Sequence, residues 1–158
     1  MVFIGIGSNL GNRIKNINKA KYLLSLNGIN ILKSSSYYES LSWPDRSKPK
    51  FINIVVQLDT DISAQKILQI SQSIENKLGR KKTYKNAPRT CDIDILSYKN
   101  RVISGDITIP HKRMSNRNFV LIPLFEIAPN YVHPKTNVSI KKLIFSLSNK
   151  DITSIKLI

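Results

Sequence analysis

A chain of 158 residues, 41% hydrophobic and 22% charged, carries enough apolar material for one compact core and too little length for two, which excludes a disordered chain and favours a single domain over 1–158. No apolar run approaches the ~20 residues a bilayer requires, and one cysteine, Cys91, builds no disulfide framework, so no membrane partner and a cytoplasmic location are expected. Lysine and arginine number 25 against 10 acidic residues, a formal charge of +15 that fits either a polyanionic partner or a general lysine-rich bias.

The opening Met1 to Ile6 has no basic leader or cleavage site and reads as a first strand, Val2 to Gly7, instead of a signal peptide. Gly5, Gly7 and Gly11 suggest a tight strand-to-helix turn capped by Ser8 or Asn9. A helix follows from Asn12 to Leu26, with Ile14, Ile17, Lys21 and Leu24 on one face and Asn27-Gly28 as its stop. Asn30 to Tyr38 reads as a second strand, and Glu39 to Lys50, with Pro44 and Pro49, as a loop. Phe51 to Asp59 alternates: Ile52, Ile54, Val56 and Leu58 face one way, Phe51, Asn53, Val55 and Gln57 the other.

Ser63 is placed to cap a helix reaching Leu78, with Gly79 beyond its end and Ile67, Ile70, Ile74 and Leu78 as its core stripe. A basic loop, Arg80 to Pro88, leads into a strand at Thr90 to Tyr98, and Lys99-Asn100 suggests a hairpin turn into Arg101 to Ile103. Asn118 to Ile127 reads as an apolar helix in which Pro123 demands a kink or a late start. Ser139 to Leu147 suggests a short helix and Ile152 to Ile158 a final strand. Interleaved helices and strands with a hairpin predict an α+β sandwich, its helices packed on a mainly antiparallel sheet.

Asp92-Ile93-Asp94 is the sharpest chemical signal. Residues two apart on a strand share a face, so both carboxylates project together while Cys91, Ile93 and Ile95 project oppositely. Like charges on one face repel, and a hard divalent cation removes the repulsion; Mg²⁺ is commonly held by one or two carboxylates plus substrate phosphates. A solvated outer face accounts for the pair equally well. Asp59-Thr60-Asp61 has the same spacing and is explained by turn and capping chemistry, so spacing alone does not decide. The neighbourhood favours phosphate: Arg80-Lys81-Lys82, Lys85 and Arg89 form a cationic arm beside the carboxylates.

Other motifs give less. Gly5-Ile6-Gly7-Ser8-Asn9-Leu10-Gly11 misses the dinucleotide glycine spacing, no acidic residue precedes Glu39, and no phosphate-loop sequence occurs. His111 follows Pro110 near Lys112, Arg113, Arg117 and Phe119, a set suited to phosphate and ring contacts; His111, His133 and Cys91 do not make a zinc set. Phe51 and Asn53 share a strand face and could stack and edge-pair a flat heterocycle, or simply pack across strands.

Lys85-Asn86-Ala87-Pro88-Arg89-Thr90-Cys91-Asp92-Ile93-Asp94-Ile95-Leu96 resembles the signature of the hydroxymethyldihydropterin pyrophosphokinases. The likeness extends through Gly7-Ser8-Asn9-Leu10-Gly11, Phe51-Ile52-Asn53, Ile109-Pro110-His111, Asn118-Phe119-Val120-Leu121 and Pro123-Leu124-Phe125-Glu126-Ile127-Ala128-Pro129, in order over most of the chain. The resemblance implies a ferredoxin-like α+β fold. It also implies transfer of the terminal pyrophosphoryl unit of ATP, the co-substrate, to the hydroxymethyl oxygen of a dihydropterin, with release of AMP.

By position, Asp92 and Asp94 would bind two Mg²⁺ ions, with Arg80 and Arg89 as catalytic cations near the transferred phosphates. Phe51 and Phe119 would sandwich the pterin, Asn53 would bond its edge, and Ser40, Leu41 and Trp43 would close the pocket. Gln72, Glu75, Arg80, Lys82, Arg89, Ile95, His111, Lys112 and Arg117 would serve ATP. The loop Ser42 to Pro49 lacks the family's usual glycine, Lys112 replaces a proline or aromatic, and the cationic arm is a residue short and lacks a tryptophan. The partners implied are small molecules, with no nucleic acid, acting on a monomer. Two rival readings are a nucleic-acid-binding module on the same scaffold, which explains the charge but not the aspartates, and a metal-dependent nucleotidyltransferase.

Overall fold

The computed structural model describes residues 1–80 and 86–158. Lys82, and with it the arm from 81 to 85, lies outside the described residues. In chain order the elements are β1 (Val2–Ser8), α1 (Arg13–Leu26), β2 (Asn30–Ser34), β3 (Tyr38–Ser40), β4 (Phe51–Asp59), α2 (Ala64–Lys77), β5 (Asp92–Tyr98), a 3₁₀ turn (Met114–Asn116), α3 (Asn118–Ile127), α4 (Ile140–Phe145), α5 (Asn149–Thr153) and β6 (Lys156–Leu157).

The strands form one sheet in the order β5-β1-β4-β3-β6, with β2 also on β4, and every pairing among the described residues is antiparallel. With β2 and β3, which both pair with β4, counted as one interrupted strand, the run from β1 to β5 is strand–helix–strand–strand–helix–strand with β4 and β1 central, the ferredoxin-like arrangement that the resemblance implies. β4 explains why helices cover both faces. Its Ile52, Ile54, Val56 and Leu58 join Ile17 and Leu24 of α1 and Ile67 and Ile74 of α2 in one apolar layer. Val55, on the opposite face, joins Phe3, Leu96, Leu121 and Leu124 of α3, and Ile140 of α4 in the other. Each fully buried aliphatic side chain contributes roughly 1.5–3 kcal/mol relative to exposure.

Several expectations change in detail. The turn after β1 is closed by Asn12, whose side chain accepts from Lys15 N–H at 3.0 Å, so neither Ser8 nor Asn9 caps α1. The buried stripe of α1 is Ile17, Ala20 and Leu24, with Ile14 exposed, because the small Ala20 lets the helix approach the sheet. The predicted strand from Asn30 to Tyr38 is split. Ser35 exchanges bonds with Val55, its N–H donating at 2.9 Å and its hydroxyl accepting at 3.0 Å. Glu126 of α3 takes the Ser36 N–H and the Tyr38 hydroxyl at 3.1 and 2.8 Å. Side chains thus replace the ladder there.

Lys99 and Asn100 do turn, with φ of 48° and 54°, but no hairpin follows; Ile103 bridges Ile109 instead. The sheet's antiparallel character comes from β1 lying between β4 and β5. α3 begins at Asn118 and continues through Pro123 without a late start. Ile152 belongs to α5, capped by Ser148, so the last strand shrinks to Lys156–Leu157.

Candidate active site

Cross-strand register builds the floor. On the face beneath α3, Asn53 of β4 pairs with Gly7 of β1, and Gly7 pairs with Asp92 of β5; one step along, Val55, Gly5 and Asp94 form the next row. Directly opposed residues put their side chains on the same side of a sheet. Asn53 and Asp92 therefore flank a strip of bare backbone. Gly7 is bare for a reason: a Cβ there would stand 2.8 Å from Asn53 Oδ1 and 3.3 Å from Phe51 Cδ1. The sequence ends the first strand at this glycine as it enters the turn, whereas β1 runs on to Ser8 and Gly7 lies inside it. A glycine in a strand interior where other groups approach closely is the signal that could have found it.

Above this floor opens a cavity of about 220 Å³. Part of its lining is aromatic, apolar or amide-bearing: Ser40, Leu41 and Trp43 from the end of β3 and its loop, Phe51 and Asn53 from β4, and Phe119 from α3. These are the six residues expected to face a pterin. Its charged lining is Arg80, Arg89, Asp92, Asp94 and Arg117, joined by Asn86 and Arg113, two residues that the sequence did not mark for the site. Asn53 is 6% exposed and donates to Ser40 Oγ at 2.9 Å. Such a volume suits one heterocycle and falls below the ~300–1,000 Å³ typical of sites for larger ligands.

A second cavity, about 280 Å³, lies along the outer edge of β5 and is lined by Ile93, Ile95, Thr108, His111 and Lys112, among others. Asp94 and Arg113 border both cavities. Gln72 is exposed on α2 and borders neither. Asp94 therefore lies on the boundary between the two cavities.

Charge is paired at this boundary. Asp92 accepts from Arg80 at 2.8 Å through one oxygen and from Arg89 at 2.7 Å through the other. Asp94 accepts from Arg117 at 3.2 Å, with His111 Nε2 3.8 Å away. Arg80 also bonds Glu75. Glu75, 8% exposed, takes the Ile93 N–H at 2.8 Å. Burial pushes the Glu75 carboxyl above its usual range, opposed by that N–H and by Arg80. Burial likewise holds His111 below its ordinary value, opposed by Asp94. The Arg113 N–H donates to His111 Nδ1 at 3.2 Å, which leaves Nε2 to carry the proton toward Asp94. Burial drives the Cys91 thiol up to about 12, so it is no nucleophile at neutral pH.

Aromatic faces hold cations here. Arg89 lies over Phe51 at 5.2 Å, and Arg117 lies 5.3 Å from Phe119 and 5.5 Å from Trp43, whose ring also carries Arg113 at 5.2 Å. Among the described residues, Nε of Arg89 and of Arg117 is buried without a hydrogen-bond partner. Among the described residues no three His, Cys, Asp or Glu side chains converge, so a cation held by Asp92 and Asp94 would need oxygens from a ligand or from water. Among the described residues, no helix is long and apolar enough to cross a membrane.

Residues 3–129 match the family model described as 7,8-dihydro-6-hydroxymethylpterin-pyrophosphokinase. The chain is 37% identical over 138 residues to the 2-amino-4-hydroxy-6-hydroxymethyldihydropteridine pyrophosphokinase of Haemophilus influenzae, covering 86% of each. It is 40% identical over 134 residues to the protein of that name from Aquifex aeolicus, covering 84% of this chain and 83% of that one. Against the folic acid synthesis protein fol1 of Pneumocystis carinii identity is 40% over 152 residues, yet the chain spans only 20% of that relative's length. Among solved structures, wild-type HPPK-DHPS of Plasmodium falciparum superposes with a TM-score of 0.74 at 14% identity, over 99% of this chain and 44% of that one, a likeness of fold. On this family match and these identities, the chain belongs to the 7,8-dihydro-6-hydroxymethylpterin-pyrophosphokinases.

Proposed function

We propose that this chain transfers the pyrophosphoryl group of ATP to the hydroxymethyl oxygen of 6-hydroxymethyl-7,8-dihydropterin, giving AMP and the pterin diphosphate, a step of folate biosynthesis. The observation that carries this reading is the position of Asp92 and Asp94, side by side on the sheet, with Asp94 bordering a heterocycle-sized cavity and a second cavity along the edge of β5. In the reaction the hydroxymethyl oxygen bonds to the β-phosphorus of ATP, and the bond from that phosphorus to the oxygen shared with the α-phosphate breaks.

The donor set fits magnesium: two hard carboxylates on one face, with room for phosphate oxygens above them. Two bound Mg²⁺ ions would neutralise the phosphates and lower the pKa of the attacking alcohol. The protein's own contribution is placement and charge. Phe51 and Phe119 hold the pterin by its faces, Asn53 bonds its edge, and Ser40, Leu41 and Trp43 close over it. Ile95, His111 and Lys112 line the nucleotide side, and Gln72, Glu75 and Lys82 serve it from α2 and the arm. Arg80 and Arg89 now neutralise Asp92, and Arg117 neutralises Asp94; turned toward a triphosphate, these guanidiniums release the carboxylates and take phosphate oxygens instead. The buried Nε atoms of Arg89 and Arg117, unpaired among the described residues, are donors available for that exchange. Phosphoryl-type transfer needs little beyond positioning and such stabilisation. The chain acts as one domain over 1–158, as a cytoplasmic monomer on small molecules.

Product identification tests the reading. With ATP, Mg²⁺ and the hydroxymethyl dihydropterin, the wild type forms AMP and a diphosphorylated pterin, and Asp94→Ala, still folded, loses nearly all turnover. Release of free pyrophosphate would support a nucleotidyltransferase instead. Wild-type turnover in Asp94→Ala would remove Asp94 from the mechanism.

A further inference from the structure

The segment Gly7-Ser8-Asn9-Leu10-Gly11 has so far supplied only the floor glycine, yet Asn9 is 3% exposed and makes three hydrogen bonds. Its Oδ1 accepts the Arg89 N–H at 2.7 Å, and its own N–H donates to the Arg89 carbonyl at 3.1 Å. Its Nδ2 donates to the Pro49 carbonyl at 3.1 Å. An N–H can only donate and a carbonyl can only accept, so the amide's orientation is fixed, and only a side chain with a donor and an acceptor on one planar group satisfies both.

The two segments it joins both reach the first cavity, which Arg89 and Phe51 line. Arg89 sends its guanidinium to Asp92 at 2.7 Å and lies over Phe51. Pro49 is two residues from Phe51, which is expected to stack on the pterin. A second bond ties the same segments, from Lys48 Nζ to the Asn86 carbonyl at 3.0 Å. Asn9 is thus the buried bond between the segment that aims a cation at the phosphates and the segment that aims a ring at the heterocycle.

We propose that Asn9 is a positioning residue for both substrates, setting Arg89 through its acceptor and the Pro49–Phe51 wall through its donor. This rests on the pyrophosphokinase reading above and adds to it a residue that touches neither substrate. The two halves of the amide have separable jobs. Asn9→Leu removes both side-chain bonds, while the backbone bond to Arg89 survives and keeps the arm loosely attached. Asn9→Asp keeps the acceptor for Arg89 but withdraws the donor and sets a second acceptor against the Pro49 carbonyl.

Steady-state kinetics of the complete chain with ATP, Mg²⁺ and the hydroxymethyl dihydropterin, alongside thermal melts, separate these roles. Asn9→Leu is expected to lower kcat by roughly ten- to a hundredfold and to raise the pterin KM, the scale on which misplacements near 1 Å act. Asn9→Asp recovers most of kcat while the pterin KM stays raised, a split that a purely structural residue does not produce. Asn16→Ala loosens the same turn, where Asn16 bonds Ser8 Oγ at 3.2 Å and the Leu10 carbonyl at 2.9 Å, but touches neither wall. It should stay within about twofold of wild type.

A wild type that forms no AMP and pterin diphosphate would sink the functional reading itself. With an active wild type, unchanged kinetics in Asn9→Leu would overturn the inference, as would equal kcat losses in the leucine and aspartate variants. Should Asn9→Leu fail to fold, Asn9→Asp decides alone: a raised pterin KM at near-normal kcat supports the role, and no such split refutes it.

Discussion

Substituting Gly7 by alanine tests the floor of the site with a single methyl group. Gly7 is not among the glycines with positive φ, so its extended backbone accepts any residue and the effect is steric. The new Cβ would stand 2.8 Å from Asn53 Oδ1, whereas ordinary van der Waals contact begins near 3.4 Å, so the amide must retreat by about 0.6 Å. Phe51 Cδ1, at 3.3 Å from the same point, restricts the directions open to it. Asn53 also gives up its 2.9 Å geometry to Ser40.

Overpacking of this kind costs about 1–3 kcal/mol, partly offset by the ~0.5–1 kcal/mol gained when a strand glycine becomes alanine. The fold should therefore survive with a Tm lowered by a few degrees, while the pterin wall is displaced by a distance that matters chemically. We expect kcat/KM for the pterin to fall roughly ten- to a hundredfold, with ATP affinity preserved. Gly5→Ala is the matched comparison, because its Cβ meets Leu96 at 3.7 Å, an ordinary contact. Kinetics and melts on both variants check this. Wild-type pterin kinetics in Gly7→Ala, or equal damage from Gly5→Ala, would refute the geometric argument.

Two further outcomes are expected. Trp43 is the chain's one tryptophan, 47% exposed, with Arg113 and Arg117 against its ring, so its emission should change saturably when a non-hydrolysable ATP analogue with Mg²⁺ draws those cations away; calorimetric binding without an emission change would contradict the exchange. His133, 6% exposed, accepts the Thr136 N–H through Nδ1 at 3.3 Å, and burial holds its pKa below the ordinary 6.5. The unfolded chain therefore takes up this proton first as pH falls, so stability is complete above about 6.5 and declines below it. Melts at pH 7.5 and 5.5 should show a larger loss for wild type than for His133→Asn; identical losses would exclude the histidine.

Much of this molecule could be read from residue order because local and global preferences agree. β4 alternates, and both of its faces found helices to cover them. α2 carries its cap at Ser63 and its stripe at Ile67, Ile70 and Ile74 as expected. Asp92 and Asp94 share a face for the simple reason that they are two apart on a strand.

What escaped was decided by partners distant in sequence. Gly7 looks like a glycine that merely ends a strand until Asn53 and Phe51 are seen beside it. Asn9 looks like a helix cap until Arg89 and Pro49 are brought to it across the fold. α1 hid its stripe because Ala20, a weak hydrophobic signal, makes the close approach while Ile14 faces solvent. The break between β2 and β3 depends on Val55 and Glu126, remote from Ser35 and Ser36 in sequence. Two arginines on Trp43 follow no local rule at all.

In the proposed reaction Asp92 and Asp94 hold divalent ions where a heterocycle and a triphosphate meet. Crystals grown with Mn²⁺, a non-hydrolysable ATP analogue and the hydroxymethyl dihydropterin, measured at the manganese edge, test it most directly. Anomalous peaks are expected within bonding distance of both carboxylates, with Arg80, Arg89 and Arg117 turned from the aspartates to phosphate oxygens. Peaks elsewhere, or carboxylates still paired with those arginines in a fully liganded complex, would contradict it.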